Sequence, residues 1–148
     1  GNNVCQSLVL IAAMAGLHVR VASPATYEPR AEIVAKATEL AKASGGTLSV
    51  GNDPLVAAKG AEVVETDVWV SAGMEQHTAR RRIDFRRFQV NEELLKEAKP
   101  DAVVLHCLPA HRGEEITDEV MEGPQFAGFD QAENRLHTQR ALLALIFS

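Results

Sequence analysis

The stretch Ala102-Val103-Val104-Leu105-His106-Cys107-Leu108-Pro109 decides the fold class. Residues 102–105 are apolar without alternation and run into a polar turn, the pattern of a strand buried on both faces in a parallel sheet. Working outward, residues 91–99 read as the preceding helix and Glu62-Val63-Val64-Glu65-Thr66 as another strand. Further upstream, residues 18–22 and 47–50 form short β-like runs, and residues 54–59 suit a short helix. Val4, Leu8, Ile11 and Ala15 fall at helical spacing before Gly16, which predicts a helix over residues 3–15 capped by Asn2 or Asn3. Ile33, Ala37, Leu40 and Ala41 mark a second helix ending near Gly45-Gly46. The last helix is expected from about Ala132 to Phe147; it turns apolar on nearly every side after Arg140, which implies burial against a larger molecule or a neighbouring subunit. Strands alternating with helices in this way predict an α/β three-layer sandwich, doubly wound, with a mostly parallel sheet. Function in such folds sits at the carboxyl ends of the strands.

The chain has 148 residues, 46% of them hydrophobic, with 15 Lys plus Arg against 20 Asp plus Glu. These values suit one globular domain and exclude a disordered tail, a collagen-like repeat or a cysteine-stapled miniprotein. A chain of this size buries about two-thirds of its unfolded surface, enough for a core without metal or disulfide help. The net charge of -5 argues against a general nucleic-acid binder. No run of about eighteen apolar residues is present to span a membrane. Cys5 and Cys107 lie far apart in unlike contexts, so a structural disulfide is not expected and a reducing compartment is. The opening Gly1-Asn2-Asn3-Val4 has no initiator Met, basic stretch or cleavage signature, and is expected to be a cut inside a larger protein.

Four polar clusters fall at strand ends or helix starts. Gly1-Asn2-Asn3 opens the first helix, where free N–H groups and the positive dipole end favour a carboxylate or simply receive a cap. Residues 66–73, Thr-Asp-Val-Trp-Val-Ser-Ala-Gly, leave a strand with an acid, an indole and a hydroxyl close together. Asp67 suits a substrate ammonium, although an Asp here also caps turns. In His106-Cys107-Leu108-Pro109-Ala110-His111-Arg112-Gly113, a thiol beside two histidines and an arginine has a setting that lowers a cysteine pKa and suits a nucleophile, proton relay or substrate contact. Zinc is disfavoured, because a closed site needs four ligands and this segment offers three at most. Asp130-Gln131-Ala132-Glu133-Asn134-Arg135 begins the last helix; an Arg in the first turn opposes the dipole, which points to a use for its charge outside the helix unless Asp130 or Glu133 pairs with it. Five arginines between Arg80 and Arg87, with aromatics between and after them, read as a solvated or subunit-facing surface rather than a nucleic-acid site.

In order and approximate spacing, these four clusters resemble those of the ornithine carbamoyltransferases. The likeness runs from end to end and extends to Tyr27-Glu28-Pro29, Phe88-Gln89-Val90-Asn91 and Leu136-His137-Thr138-Gln139. It implies the Rossmann-like, C-terminal, ornithine-binding domain of an enzyme that transfers a carbamoyl group from carbamoyl phosphate to the δ-amine of L-ornithine, with no metal or organic cofactor. By resemblance, Asn3 meets the amino acid's carboxylate, Asp67 and Ser71 hold its α-amino group, and Ala72 adds a backbone contact. Cys107 lies beside the δ-amine, the Leu108 carbonyl faces the carbamoyl NH₂, and Arg135 meets carbamoyl phosphate. Cys107, Asp67 and Arg135 are therefore the expected catalytic residues. The δ-ammonium must lose a proton before it attacks, and Cys107, coupled to Asp67, is a candidate relay.

Two departures from the family pattern stand out. Ser71-Ala72-Gly73 replaces the usual Ser-Met-Gly, which removes a Met that packs during loop closure. The carbamoyl-phosphate domain and the first strand of the fold are expected to lie before Gly1, so the chain alone is expected to be catalytically incompetent. The family is usually trimeric, and a cytoplasmic location is expected. Alternative acceptors are putrescine and acylated ornithine. A dinucleotide-binding module is the alternative of another class; it is disfavoured because the second strand ends at Ala22-Ser23-Pro24 without the carboxylate that would bind a ribose.

Overall fold

The computed structural model describes residues 1–71, 73 and 75–148, with Glu75 described by its backbone only; Ala72 and Met74 lie outside the described residues. The chain divides into two compact units, one of residues 1–59 with 69–88 and one of residues 60–68 with 89–148.

In the first unit the order is α1 (Asn3–Met14), β1 (His18–Ala22), α2 (Ala31–Ser44), β2 (Thr47–Gly51), α3 (Pro54–Ala58) and, after the excursion, α4 (Thr78–Phe85). Asn2 caps α1, its Oδ1 accepting from Cys5 N at 3.0 Å, so Asn3 becomes the first helical residue. Asp53 caps α3 ahead of Pro54, a proline where the missing N–H costs nothing. Gly45, at φ 85°, ends α2 in the left-handed conformation that glycine adopts without penalty. β1 and β2 pair in parallel from His18 opposite Thr47 to Ala22 opposite Gly51. Val9 and Ala13 of α1 meet Ala37 and Ala41 of α2, and Val19, Val21 and Leu48 of the strands close this core.

The arginine-rich stretch, expected as a surface after a loop, forms α4. Asp84 accepts from the Tyr27 hydroxyl at 2.9 Å and from Arg80 Nε at 2.8 Å. Arg81 donates to the Trp69 carbonyl at 2.8 Å while its guanidinium lies 5.1 Å from the Tyr27 ring centre. Phe85 packs against Tyr27 and Trp69. Arg81 thus helps to hold the helix in place, which its charge alone does not reveal, while Arg80, Arg82, Arg86 and Arg87 are exposed, as a solvated surface requires.

In the second unit, β3 (Val63–Thr66) is followed by α5 (Glu92–Leu95), β4 (Val103–His106), α6 (Asp118–Met121) and α7 (Gly128–Phe147). β3 and β4 pair in parallel from Val63 opposite Val103 to Thr66 opposite His106. The expected parallel α/β class is thus what the chain forms. Val104 and His106 on one face of β4 are fully buried, with Ala102, Val90 and Ile116 buried in the same unit. Val103 on the other face is 38% exposed, so the strand is not covered on both faces in this chain as its unbroken apolar run led one to expect. Two boundaries differ from expectation. The helix placed over residues 91–99 is confined to Glu92–Leu95, capped by Asn91. α7 starts at Gly128 rather than Ala132, with no side-chain cap to mark its beginning. Its apolar end is exposed in this chain, with Phe147 at 81% and Leu145 at 77%. Among the described residues, no helix is long and apolar enough to cross a membrane.

Candidate active site

Parallel pairing that ends with Thr66 opposite His106 carries the next residue of each strand out side by side. Those residues are Asp67 and Cys107, and the Cys107 Sγ donates to Asp67 Oδ1 at 3.1 Å. The same carboxylate oxygen accepts from Val68 N at 2.8 Å, which fixes its direction. Burial, then the hydrogen bond to Asp67 and its negative charge, push the Cys107 thiol up to about 12. This corrects the expectation of a lowered cysteine pKa. The cations nearby in sequence are turned elsewhere: Arg112 holds Asp118 and Glu122, each at 2.7 Å, and the exposed His111 ring faces Glu115 at 3.9 Å. At neutral pH, Cys107 is therefore a neutral thiol that donates to a carboxylate, not a thiolate nucleophile.

Behind the thiol, His106 and Glu115 are both fully buried. His106 Nδ1 accepts from Leu108 N at 2.8 Å, which leaves the ring proton on Nε2, where it donates to Glu115 Oε1 at 3.1 Å. Leu108 itself sits at φ 56°, a left-handed conformation that costs a leucine about 1–3 kcal/mol. The peptide between Leu108 and Pro109 is cis. The His106 backbone N–H donates to Gln131 Oε1 at 2.9 Å, and Gln131 Nε2 donates to Glu65 Oε1 at 3.3 Å. Burial raises the Glu65 carboxyl above its usual range; the Gln131 hydrogen bond works against this, and the charge of Asp67 adds to it. Gln131 thereby ties the start of α7 to the carboxyl ends of β3 and β4.

Asp67, His106 and Cys107 bring three potential ligand atoms within 4.8 Å of one another. They do not fit a metal. Leu108 N–H and Glu115 occupy both ring nitrogens of His106, the thiol is bonded to Asp67, and a closed zinc site takes four donors.

The remaining expected residues are placed as follows. Arg135 lies two turns into α7, exposed, on the same helix face as Gln131 four residues earlier. The reading of a first-turn arginine opposed to the dipole is therefore corrected: the helix begins too early for it. Among the described residues no ion pair holds Arg135, and Glu133 turns to His137 at 3.3 Å. Asn3 is exposed at the start of α1 and Ser71 is half-buried, both in the first unit. Ala72 lies outside the described residues. Asp67, Cys107 and Leu108 thus stand together at neighbouring strand ends in the second unit. The sequence motifs contain His106 and Gln131 without giving either a role and leave out Glu115, because nothing in their local spacing shows that they are tied to the strand ends.

Comparison with known proteins bears on the same residues. Residues 1–146 match the family described as aspartate/ornithine carbamoyltransferase, Asp/Orn binding domain. The ornithine carbamoyltransferase of Acidothermus cellulolyticus is 58% identical over 146 residues, which cover 99% of this chain and 47% of that protein. The structure of ornithine carbamoyltransferase from Pyrococcus furiosus superposes with a TM-score of 0.93 at 50% identity, covering 98% of this chain and 46% of the other. An acetylornithine transcarbamylase complexed with acetylcitrulline superposes with a TM-score of 0.82 at 30% identity, covering 95% of this chain and 43% of that one. The chain spans about half the length of the curated relatives it matches.

Proposed function

Because the chain belongs to the aspartate/ornithine carbamoyltransferase family, in which it matches the Asp/Orn-binding domain, we propose that it supplies the ornithine half of an ornithine carbamoyltransferase. The reaction moves a carbamoyl group from carbamoyl phosphate to the δ-amine of L-ornithine and gives citrulline and phosphate. The observation that carries this reading is the Asp67–Cys107 pair, a carboxylate and a neutral thiol 3.1 Å apart at adjacent strand ends. A carboxylate there suits an ammonium, and a protonated sulfur presents its lone pairs to an amine N–H while its own proton points to Asp67.

The roles follow the resemblance. Asn3, the first residue of α1, takes the α-carboxylate. Asp67 and Ser71 hold the α-amino group, and the Ala72 backbone adds a contact. Cys107 orients the δ-amine, the Leu108 carbonyl accepts from the carbamoyl NH₂, and Arg135 meets carbamoyl phosphate.

An alkylammonium of this kind has a pKa of about 10 and must shed a proton before its nitrogen can attack. The sulfur takes that proton as its own moves to Asp67, so the thiol relays without resting as a thiolate. The nitrogen then bonds to the carbonyl carbon and gives its second proton to the departing phosphate as the carbon–oxygen bond breaks, while Asp67 releases the first proton to solvent. Negative charge grows on the carbonyl oxygen and phosphate as this happens, and the guanidinium of Arg135 stabilises it most in the transition state. The second substrate and the remainder of the cleft come from the half of the protein outside this chain, and the whole is proposed to assemble as a cytoplasmic trimer.

Acylated ornithine is the nearest rival acceptor and putrescine the next. Putrescine lacks both α-groups that Asn3, Asp67 and Ser71 are suited to hold. A site built to hydrogen-bond a substrate group strongly rejects an analogue lacking it, so kcat/KM for putrescine is expected to be lower by about 10²-fold or more. In the full-length enzyme, ornithine and carbamoyl phosphate should give citrulline and phosphate in equal amounts. No citrulline, or equal turnover of putrescine, would refute the assignment.

A further inference from the structure

We propose that Glu115 and His106 are positioning residues that set the Leu108 backbone for carbamoyl transfer. This rests on the reading above, in which the Leu108 carbonyl receives the carbamoyl NH₂. Neither residue is explained by packing alone. A glutamate and a histidine with no exposure are costly to bury unless they are bonded, and these two are bonded to each other and to the turn that carries the site.

The chain of contacts has a direction. Glu115 Oε1 accepts from the His111 backbone N–H at 2.6 Å and from His106 Nε2 at 3.1 Å. A proton held on Nε2 leaves Nδ1 as a lone pair, and that lone pair is what the Leu108 N–H requires at 2.8 Å. Turning the imidazole, or protonating Nδ1, removes the acceptor from a residue already held at φ 56°. The peptide that follows carries the Leu108 carbonyl, and Cys107 lies between the two anchored positions. Glu115 therefore acts through His106 on the backbone at Leu108, and touches no substrate in this scheme.

The test uses the full-length enzyme and four variants. Glu115→Ala should lower kcat by about 10- to 100-fold, the scale expected of a misplacement of an ångström or so, with KM for ornithine little changed. Glu115→Gln keeps an oxygen for both donors and should restore most of the rate. His106→Leu should match Glu115→Ala. His106→Asn, whose amide oxygen can stand where Nδ1 does, should fall less, and it carries the test if Glu115→Ala folds poorly. Hydrogen exchange at the Leu108 amide reads the same contact without turnover: it should quicken in Glu115→Ala and His106→Leu and stay slow in Glu115→Gln. Unchanged exchange, or freed Leu108 with kcat intact, overturns the positioning role while a turning-over wild type keeps the transferase reading. A wild type that forms no citrulline overturns that reading and this role with it.

Discussion

Arg135→Gln in the full-length enzyme is expected to lower kcat for carbamoyl transfer by about 10²–10³-fold, the effect typical of removing one preorganised partner of a developing negative charge. The structure makes this arginine available. α7 begins at Gly128, so Arg135 sits beyond the first turn, exposed, with no ion pair among the described residues to neutralise it. Gln131, one turn before it on the same face, bridges the His106 N–H and the Glu65 carboxylate, so the helix carrying the guanidinium is fastened to the strand ends. Glutamine keeps much of the length and can still donate, but it lacks the charge and the paired N–H groups that match a phosphate. Steady-state kinetics in both substrates separates the possibilities. Loss confined to kcat assigns Arg135 to the transition state, loss confined to KM for carbamoyl phosphate assigns it to binding alone, and no loss removes it from the site.

The second large effect is expected from Asp67→Asn. Its carboxylate accepts from the Cys107 thiol and, in the proposed function, also partners the substrate α-ammonium. Truncating one side of a desolvated, hydrogen-bonded charge pair costs about 2–5 kcal/mol, and kcat/KM for ornithine should fall on the order of 10²–10³-fold. The thiol supplies an independent readout. In the wild type it is raised from 9.0 to about 12, by burial first and then by the bond to Asp67 and its charge. Without that charge, the pH profile of Cys107 alkylation by iodoacetamide should move to lower pH. The linked effect on stability has a definite sign. Between pH 9 and about 12 the unfolded chain has lost the thiol proton that the folded chain keeps, so this thiol's contribution to stability declines as pH rises through that window. Asp67→Asn should narrow the window from its upper end. An unshifted alkylation profile with unchanged ornithine kinetics would show that Asp67 does neither job.

The fold was largely legible because its signals are local. The apolar run before His106 marks a parallel strand from its own composition, although only one of its faces is covered; the strand runs from Val103 through His106, the residue that puts Cys107 at the strand end. Asn2 and Asp53 announce helix starts through their own side chains. Where boundaries were misjudged, that kind of signal is missing: α7 starts at an uncapped glycine, which shifted Arg135 into the first turn on paper. α4 is short, rich in arginine and held by Tyr27 and the Trp69 carbonyl, both distant in sequence.

The chemistry of the site was legible in its residues and misread in its electrostatics. Proximity in sequence put His111 and Arg112 beside Cys107. In space Arg112 turns to Asp118 and Glu122 and His111 to Glu115, and the charge next to the thiol is the negative one of Asp67. The sign of the shift depends on which side chains turn inward, and spacing does not encode that. Glu115 was invisible for a related reason: nothing in Gly113-Glu114-Glu115-Ile116 shows that the second glutamate turns inward, to the His106 ring and the His111 N–H.

The measurement that bears most directly on the central claim is a crystal structure of the full-length enzyme with an ornithine analogue lacking the δ-amine. The analogue's α-carboxylate should lie on Asn3 and its α-amino group on Asp67 and Ser71, with the end of its side chain against the Cys107 sulfur. An analogue bound with Asp67 and Cys107 remote from it would contradict the account.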